Sequence, residues 1–214
     1  MIVSHGRRYI FVHIPKTGGT ALSLALEARA MKNDILIGDT PKARRRRRRL
    51  EGVQTSGRLW KHARLSDIYG LVGQQEIEEF FTFTLVRNPW DRLVSYYHWL
   101  RVQAFDHPAV RLAQRSDFPG FLDHPRTRAS LAAAPYRSYM LDRGGVERCN
   151  AFIRLEHLDE DLASLAAHLG FRPEMGRANA SERQVDYRGY YTDSLATLVA
   201  QICAPDIERF GYKF

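Results

Sequence analysis

The chain has 214 residues, enough for a single domain over 1–214 whose hydrophobic core needs no metal ion or disulfide bond to hold it. Apolar residues make up 44% of the chain and charged residues 26%, which is ordinary for a soluble globular protein. Cys149 and Cys203 exclude a disulfide framework and lie in no zinc-type spacing, so we expect a reduced, cytoplasmic protein. No apolar run approaches the roughly 20 residues of a transmembrane helix, and the start lacks a signal-peptide pattern.

The formal net charge of +8 comes largely from one tract of consecutive arginines, Arg44 to Arg49, and the rest of the chain is nearly balanced. We interpret this tract as part of a solvated, irregular loop over 39–60. Two alternatives stay open: an edge that binds the acceptor or another polyanion, and a patch for nucleic acid or nuclear import. Aromatic residues are not interleaved with the arginines, so nucleic acid is not the expected partner.

The first part of the chain predicts strands and helices in alternation. A short apolar and aromatic run predicts a strand over 9–13, and apolar residues at helical spacing predict a helix over 20–31. The run ILIG predicts a second strand over 35–38. After the long loop, a short helix is predicted over 65–73 and closed by Gly73.

The clearest strand of the chain is predicted over 80–86. Asn88 is typical of a helix N-cap and Pro89 of the first helical position, so a helix is predicted from there to about Gln103. Prolines and glycines then break the segment 105–145 into short helices. The remaining predicted elements are a strand over 151–155, a helix over 157–170, a polar segment over 172–189 and a last helix over 192–203.

Strands that alternate with helices indicate a parallel sheet with helices on both faces. Ligands of such sheets bind beyond the carboxyl ends of the strands, and two motifs fall there: HIPKTGGT at 13–20 and RNPWDRLVSYY at 87–97. Each motif sets cationic side chains where a turn leads into a helix, whose unpaired N–H groups and dipole favour an anion. Two such elements of different type indicate a ligand with two separate anionic groups.

In the first motif, Pro15 stiffens the exit from the strand, and Lys16 supplies an ammonium group that suits an oxygen gaining charge as a bond breaks. The other residues let the backbone approach a bound group or add hydroxyl donors: Thr17, Gly18, Gly19 and Thr20. The lysine precedes the glycines, so this is not a Walker A loop. The alternative is a glycine turn with an exposed lysine.

In the second motif, Arg87 leaves the strand just before the capped start of the helix, and Ser95 lies two turns into that helix. Arg92 lies one turn before Ser95, so each of these three side chains is a candidate to face a phosphate. The alternative for the arginines is a structural ion pair with Asp91 or with a nearby glutamate.

Together the two motifs resemble the nucleotide-binding motifs of sulfotransferases, enzymes that use 3′-phosphoadenosine 5′-phosphosulfate (PAPS). P-K-T-G-G-T follows the first strand, and R-N-P-x-x-R-x-x-S-x-Y follows a later one. The form H-x-P-K-T-G-G-T is most similar to the branch that includes membrane-bound carbohydrate sulfotransferases and many soluble bacterial relatives. The resemblance covers most of the chain, through K-H-A-R at 61–64, F-I-R-L-E at 152–156, N-A-S-E-R at 179–183 and the ending F-G-Y-K-F.

The expected fold is α/β, a three-layer, P-loop-like fold with a central parallel sheet flanked by helices. The resemblance implies that the 5′-phosphosulfate is held by Lys16, Thr17, Gly18, Gly19 and Thr20. Lysine, arginine and backbone N–H groups balance the anion in this scheme, so no metal ion is expected.

The resemblance also implies that Arg87 and Ser95 hold the 3′-phosphate of PAPS. It places the adenine pocket loosely near Ser181 and Arg183. Three tyrosines at near-helical spacing are alternatives for stacking on the adenine, or else they only pack: Tyr187, Tyr190 and Tyr191.

Sulfuryl transfer needs a general base that deprotonates the acceptor as it attacks, and histidine suits this role near neutral pH. Of the eight histidines we choose His62, at the end of the long loop, where the related enzymes have a candidate base. His13, beside the first motif, and His98, in the predicted helix, are alternatives. A carboxylate such as Glu156 or Asp67 is a further alternative if its environment raises its pKa.

We therefore expect a sulfotransferase that moves a sulfuryl group from PAPS to a hydroxyl, or an amine, of a carbohydrate, glycolipid or small metabolite. One alternative is a nucleotide kinase or NTPase, which the order of lysine and glycines and the lack of a magnesium carboxylate after the strand at 80–86 disfavour. The other is a non-enzymatic polyanion-binding protein that uses Arg44–Arg49. No transmembrane segment is expected, and peripheral contact with a membrane stays open.

Overall fold

The chain divides into two compact units, and a computed structural model describes residues 1–176, 184 and 186–214. The first unit consists of Met1–Val86 and the described part of Tyr136–Asn179. The second consists of Arg87–Pro135 and the described part of Ala180–Phe214. The expectation of a single sulfotransferase domain stays a prediction.

A five-stranded sheet forms the centre of the first unit, in the order β3-β1-β2-β4-β5. Its strands are β1 (Ile2–Ser4), β2 (Tyr9–Val12), β3 (Ile35–Leu36), β4 (Phe81–Val86) and β5 (Ala151–Arg154). β2, β4 and β5 pair in parallel, whereas β1 pairs antiparallel with both β2 and β3. The predicted α/β fold with a central sheet flanked by helices is thus confirmed, and the sheet is mostly parallel where a parallel one was predicted. The sequence analysis missed β1. It searched for strands that alternate with helices, and the short turn between β1 and β2 contains no helix.

Both faces of this sheet are buried, and β2 shows how its side chains divide between them. Tyr9 and Phe11 point to one face, where Leu22 of helix α1 (Gly19–Ala28) and Leu165 of helix α8 (Leu158–Leu169) pack against them. Ile10 and Val12 point to the other face. That face is covered by a 3₁₀ helix (Leu65–Ile68) and by α3 (Gln74–Glu79).

The predicted loop at 39–60 begins with a helix, which corrects the interpretation of the arginine tract. Helix α2 spans Pro41–Arg46 and continues into a 3₁₀ helix over Arg47–Leu50. Thr40 caps α2 by accepting a hydrogen bond from the Ala43 N–H, and arginine is a good helix former, so the tract folds locally. Arg46 Nη1 also donates to two backbone carbonyl groups of the chain before α2, at 2.9 and 3.0 Å.

The helix predicted over 65–73 is also corrected in its extent. Only a 3₁₀ turn forms at its start, and Gly73 does not close it. Gly73 is instead the N-cap of α3, where its N–H donates to the carboxylate of Glu76 at 2.7 Å. The sequence analysis did not predict α3, because its six residues are too few for a clear apolar period.

The second unit is helical in its described part. Helix α4 (Pro89–Arg101) confirms the predicted cap and start, and prolines in the first turn of the next three helices explain the breaks predicted from 105 to 145. The other helices are α5 (Pro108–Arg115), α6 (Phe118–Asp123), α7 (Pro125–Ala132), a 3₁₀ turn (Tyr187–Tyr190), α9 (Asp193–Ile202) and α10 (Ala204–Phe210). No helix in the described part of the chain has the length and apolar character needed to cross a bilayer.

The packing of α1 against the sheet yields a stability prediction. Leu22 is fully buried, whereas Leu24 on the same helix is 42% exposed. We expect Leu22→Ala to lower the free energy of unfolding by about 2–5 kcal/mol, because it leaves a cavity between α1 and the sheet. Leu24→Ala removes the same atoms at the surface and should change the free energy of unfolding by about 0.5 kcal/mol or less. Urea unfolding of both variants checks this, and equal effects would contradict the described packing of α1.

Candidate active site

The loop between β2 and α1 turns sharply, because two of its residues adopt left-handed backbone conformations. Lys16 has a φ of 66° and Gly18 a φ of 85°. Gly18 is the N-cap of α1 and supplies no side-chain cap to the helix. The first N–H groups of an α-helix have no partner within the helix, so this end of α1 offers backbone donors and a positive dipole to an anion.

Two glycines of the loop are required by close contacts with protein side chains. A Cβ atom on Gly19 would lie 2.2 Å from Cδ2 of His13, and one on Gly18 would lie 2.8 Å from Cδ1 of Leu155. Both distances are too short for any side chain. The glycines therefore allow His13 and Leu155 to pack against the start of α1. The contact of Gly18 and Gly19 with a bound group stays a prediction.

The two threonines of the loop lie in different environments. Thr17 is fully buried, and its hydroxyl group donates to the Ile14 carbonyl oxygen at 2.9 Å, which braces the loop from inside. Thr20 is half-buried in the first turn of α1, and Lys16 is half-buried in the loop. The hydroxyl proton of Thr17 is thus already used within the loop, which leaves its backbone N–H as the better donor to an anion.

The predicted base His62 lies against the end of β2. Its Nδ1 lies 2.8 Å from the carbonyl oxygen of His13, and because a carbonyl only accepts, Nδ1 carries the hydrogen. The two imidazole rings meet edge to face, with their centroids 4.6 Å apart. In the neutral tautomer fixed by this bond, Nε2 carries the lone pair that a general base needs.

Burial keeps both of these histidines neutral. It lowers the pKa of His62 to about 4, against the partly compensating hydrogen bond to the His13 carbonyl group. Burial also holds the pKa of His13 well below its ordinary value, and the charges of Lys61 and Lys16 act in the same direction. His62 is therefore in the base form at neutral pH.

Two further contacts surround His62. The indole of Trp60 meets the imidazole edge to face, with ring centroids 5.1 Å apart. Directly before His62 in the chain, Lys61 Nζ lies 2.6 Å from the carboxylate of Asp39, and this hydrogen bond lowers the pKa of Asp39. The sequence analysis missed the contact with Trp60 and the pairing of Lys61 with Asp39. The run W-K-H places Trp60 two residues before His62 and could have indicated their contact. No local pattern connects Lys61 with Asp39, which lies far upstream.

The two carboxylates considered as alternative bases lie on 3₁₀ helices of the first unit. The carboxylate of Asp67 accepts a hydrogen bond from the Arg64 N–H at 2.8 Å, within the cap of a 3₁₀ helix. Glu156 is exposed on another 3₁₀ helix, over Leu155–His157. The choice among these groups stays a prediction.

The second motif forms the start of α4 in the second unit. Asn88 caps the helix by accepting from the Trp90 N–H at 3.1 Å, and its side-chain amide donates to the Lys213 carbonyl oxygen at 2.9 Å. Arg87 Nε donates to the carboxylate of Asp91 at 2.8 Å, so the ion pair considered as an alternative does form. The carboxylate fixes the direction of the guanidinium group.

Ser95 lies one helical turn beyond Asp91, on the same face of α4, and is 5% exposed. The guanidinium group of Arg87 lies along this face through its bond to Asp91. The structure therefore places Arg87 and Ser95 on a common side of α4, as a shared phosphate site requires, while the phosphate contact itself stays a prediction.

Ser181 and Arg183, predicted near the adenine, lie outside the described residues.

The tyrosines considered for stacking belong to an aromatic cluster of the second unit. The ring centroid of Phe118 lies 5.8 Å from that of Tyr190 and 5.1 Å from that of Tyr191, and the hydroxyl group of Tyr191 donates to the Trp90 carbonyl oxygen at 2.8 Å. These contacts favour packing over stacking on a base.

Within residues 1–176, 184 and 186–214, no three His, Cys, Asp or Glu side chains are grouped so that they could hold a metal ion. That the reaction needs no metal stays a prediction.

Comparisons with known proteins identify the family. No curated protein matches the chain. One solved structure that matches the chain is the crystal structure of mouse sulfotransferase SULT7A1 complexed with PAP. It is 16% identical, the match covers 93% of this chain and 83% of that one, and the TM-score is 0.48. The model of the sulfotransferase family matches residues 1–213, nearly the whole chain. This match confirms the resemblance to PAPS-dependent sulfotransferases and the prediction of an enzyme: the chain belongs to the sulfotransferase family.

Proposed function

We propose that the protein transfers the sulfuryl group of PAPS to a hydroxyl group of a carbohydrate or small-molecule acceptor, with His62 as the general base. The bond from His62 Nδ1 to the His13 carbonyl group carries this proposal. It fixes the imidazole at the end of the strand from which the Lys16 loop starts, and it leaves the lone pair on Nε2. The same base could also take a proton from an amine acceptor, which is the alternative to a hydroxyl group.

The chemistry assigns each group a defined role. His62 Nε2 takes the proton of the acceptor hydroxyl while that oxygen forms a bond to sulfur. PAPS supplies the sulfuryl group, and its bond from sulfur to the 5′-phosphate oxygen breaks with the electron pair going to that oxygen. The Lys16 ammonium group offsets the charge that develops there. The backbone N–H groups at the start of α1 orient the same phosphate.

The second anionic group of the donor is assigned to the second motif. Arg87 and Ser95 hold the 3′-phosphate in this proposal, and the segment with Ser181 and Arg183 holds the adenine. The ion pair with Asp91 supports the role of Arg87, because a guanidinium group held in a fixed direction loses less rotamer freedom when it binds a phosphate. The acceptor class, the cytoplasmic location and the absence of a nucleic-acid partner remain predictions.

The role of the base is tested by His62→Ala. We expect the turnover number to fall by a factor of about 100 to 10,000, because no general base then takes the proton from the hydroxyl group that is sulfated. The affinity for 3′-phosphoadenosine 5′-phosphate (PAP), the product that remains after transfer, should stay within about twofold of the original, since the imidazole is not assigned to the donor. Initial rates with labelled PAPS and calorimetry with PAP measure the two quantities.

The matched control for this variant is His107→Asn. His107 is exposed and caps α5 by accepting from the Ala109 N–H, and asparagine can replace it in that role. This control should keep its turnover number. If His62→Ala also turns over near the original rate, the assignment of the base is wrong, and the alternative histidines, His13 and His98, and carboxylates are next.

The two anion sites are tested by Lys16→Ala and Arg87→Ala. Each should weaken PAP binding by about tenfold or more, because each removes a charged hydrogen-bond donor to a phosphate. Calorimetry with PAP gives both affinities. Normal PAP binding in both variants would contradict the assignment of the two motifs.

Controls for these variants separate phosphate binding from disruption. Lys32→Ala and Arg115→Ala remove exposed cations and should leave PAP affinity unchanged. Arg87→Ala removes a cationic partner of the Asp91 carboxylate, so Arg87→Ala/Asp91→Asn is the second variant to measure. A loss of affinity in both Arg87 variants assigns the effect to the phosphate, whereas recovery in the double variant assigns it to the charge of Asp91.

A further inference from the structure

The imidazole of His13 has no role in the transfer step as assigned so far. The backbone carbonyl group of this residue orients His62, but its side chain is not used. That side chain is only 7% exposed, and it stands at the end of β2, directly before the loop that leads into α1. A polar ring buried this deeply beside a candidate active site calls for a hydrogen-bond partner.

The ring of His13 is directed at the start of α1. A Cβ atom on Gly19, the first residue of this ten-residue helix, would lie 2.2 Å from Cδ2 and 2.4 Å from Nε2 of His13. The edge of the ring with Cδ2 and Nε2 therefore faces the helix, and Nδ1 lies farther from it. Nε2 is thus beside the backbone N–H groups that the proposed function assigns to the donor.

The hydrogen carried by this ring is not used within the protein. In the part of the chain that the structure describes, neither ring nitrogen of His13 has a hydrogen-bond partner. The ring contacts are aromatic: Phe11 stacks on it with a centroid distance of 5.8 Å, and His62 meets it edge to face at 4.6 Å. A buried N–H group without a partner costs free energy, so a ligand that accepts its hydrogen bond explains this ring best.

The ring is also neutral, which makes it a donor of one hydrogen and no charge. Burial holds the pKa of His13 well below its ordinary value, and nearby positive charges, among them Lys16, act in the same direction. Because the charge of Lys16 acts on this imidazole, an anion held by Lys16 also lies within its surroundings. A neutral imidazole gives such an anion one N–H donor, and the position of its hydrogen decides where.

We infer that His13 binds the sulfuryl group of PAPS, with its Nε2–H donating to a sulfuryl oxygen. This inference rests on the proposed function, which puts the donor at the start of α1 and the acceptor at His62. During transfer the sulfur lies between the departing phosphate oxygen and the attacking acceptor oxygen. The ring of His13 contacts Gly19 on one side and His62 on the other, so it faces the group that lies between them. Its hydrogen bond orients the sulfuryl group for attack.

Two other roles for this side chain account for less. A general base at His13 needs its lone pair on the nitrogen that faces the reacting groups, and such a lone pair beside the start of α1 would repel the oxygen atoms of the donor. A ring that only fills space needs no nitrogen at all. These roles differ in what they require of Nε2, so the two can be separated by experiment.

The tautomer of His13 can be measured on the unaltered protein. ¹⁵N NMR of the imidazole, assigned with His13→Gln, should show a neutral ring at neutral pH with its hydrogen on Nε2. PAPS added without an acceptor should shift the signal of this hydrogen more than PAP does, because PAP lacks the sulfuryl group. A hydrogen on Nδ1, or equal shifts with the two nucleotides, would overturn the inference.

Two variants separate the hydrogen bond from the packing of the ring. His13→Phe keeps a ring against Gly19 and removes the donor, and we expect kcat/KM for PAPS to fall by about tenfold. His13→Gln places an amide N–H near the position of Nε2 and should keep kcat/KM within about threefold. Both variants should bind PAP within about twofold of the original, which also shows that they are folded. His107→Asn is again the control and should keep kcat/KM.

The outcomes of these experiments also separate this inference from the proposed function. Original kcat/KM in His13→Phe would leave the ring a spacer and overturn the inference. Loss of turnover in His13→Gln, together with normal turnover in His62→Ala, would make His13 the base and overturn both assignments. Weaker binding of PAP and PAPS alike in His13→Phe would move the contact from the sulfuryl group to a phosphate. If the original protein binds neither nucleotide, the proposed function fails and this inference fails with it.

Discussion

The end of β2 joins three parts of the candidate active site through one residue, His13. Its carbonyl oxygen accepts the hydrogen bond that orients His62, and its ring packs so closely on Gly19 that no side chain fits there. Its position at the end of a buried parallel strand is fixed by the pairing of β2 with β4. A shift of this strand end would therefore move the Lys16 loop, the start of α1 and the candidate base together.

The positive charge around this strand end has two effects that support one another. It suits an anionic donor. At the same time, burial first, and then the charges of the N-terminal ammonium group and Lys61, hold the pKa of His13 and His62 below the ordinary value. The positive charge that suits the donor thus adds to the effect of burial, which keeps the base unprotonated. Asp39 limits this field locally, because it pairs with Lys61 rather than with an imidazole.

The sequence predicted those parts of the molecule that depend on local patterns. The strands at β2, β4 and β5, the cap at Asn88 and the glycine loop before α1 all have signals within a few residues, and the structure contains each of them. Long-range contacts had no such signal. The Lys61–Asp39 pair, the packing of Leu155 on Gly18 and the hairpin strand β1 depend on tertiary structure. Helix α2 was missed because a run of arginines was interpreted by its charge and not by its helix propensity.

The most direct measurement of the central claim is the protonation state of His62, followed by ¹⁵N NMR of the imidazole across a pH titration and assigned with a His62→Gln variant. The account predicts a neutral ring at neutral pH with its hydrogen on Nδ1. As the pH falls, the ring should stay neutral through the ordinary histidine pKa of about 6.5 and become charged only near its lowered pKa of about 4. A hydrogen on Nε2 at neutral pH would contradict the account, because His62 would then not be held by the His13 carbonyl group and Nε2 would have no lone pair for a proton. An ordinary pKa would contradict the described burial of the ring.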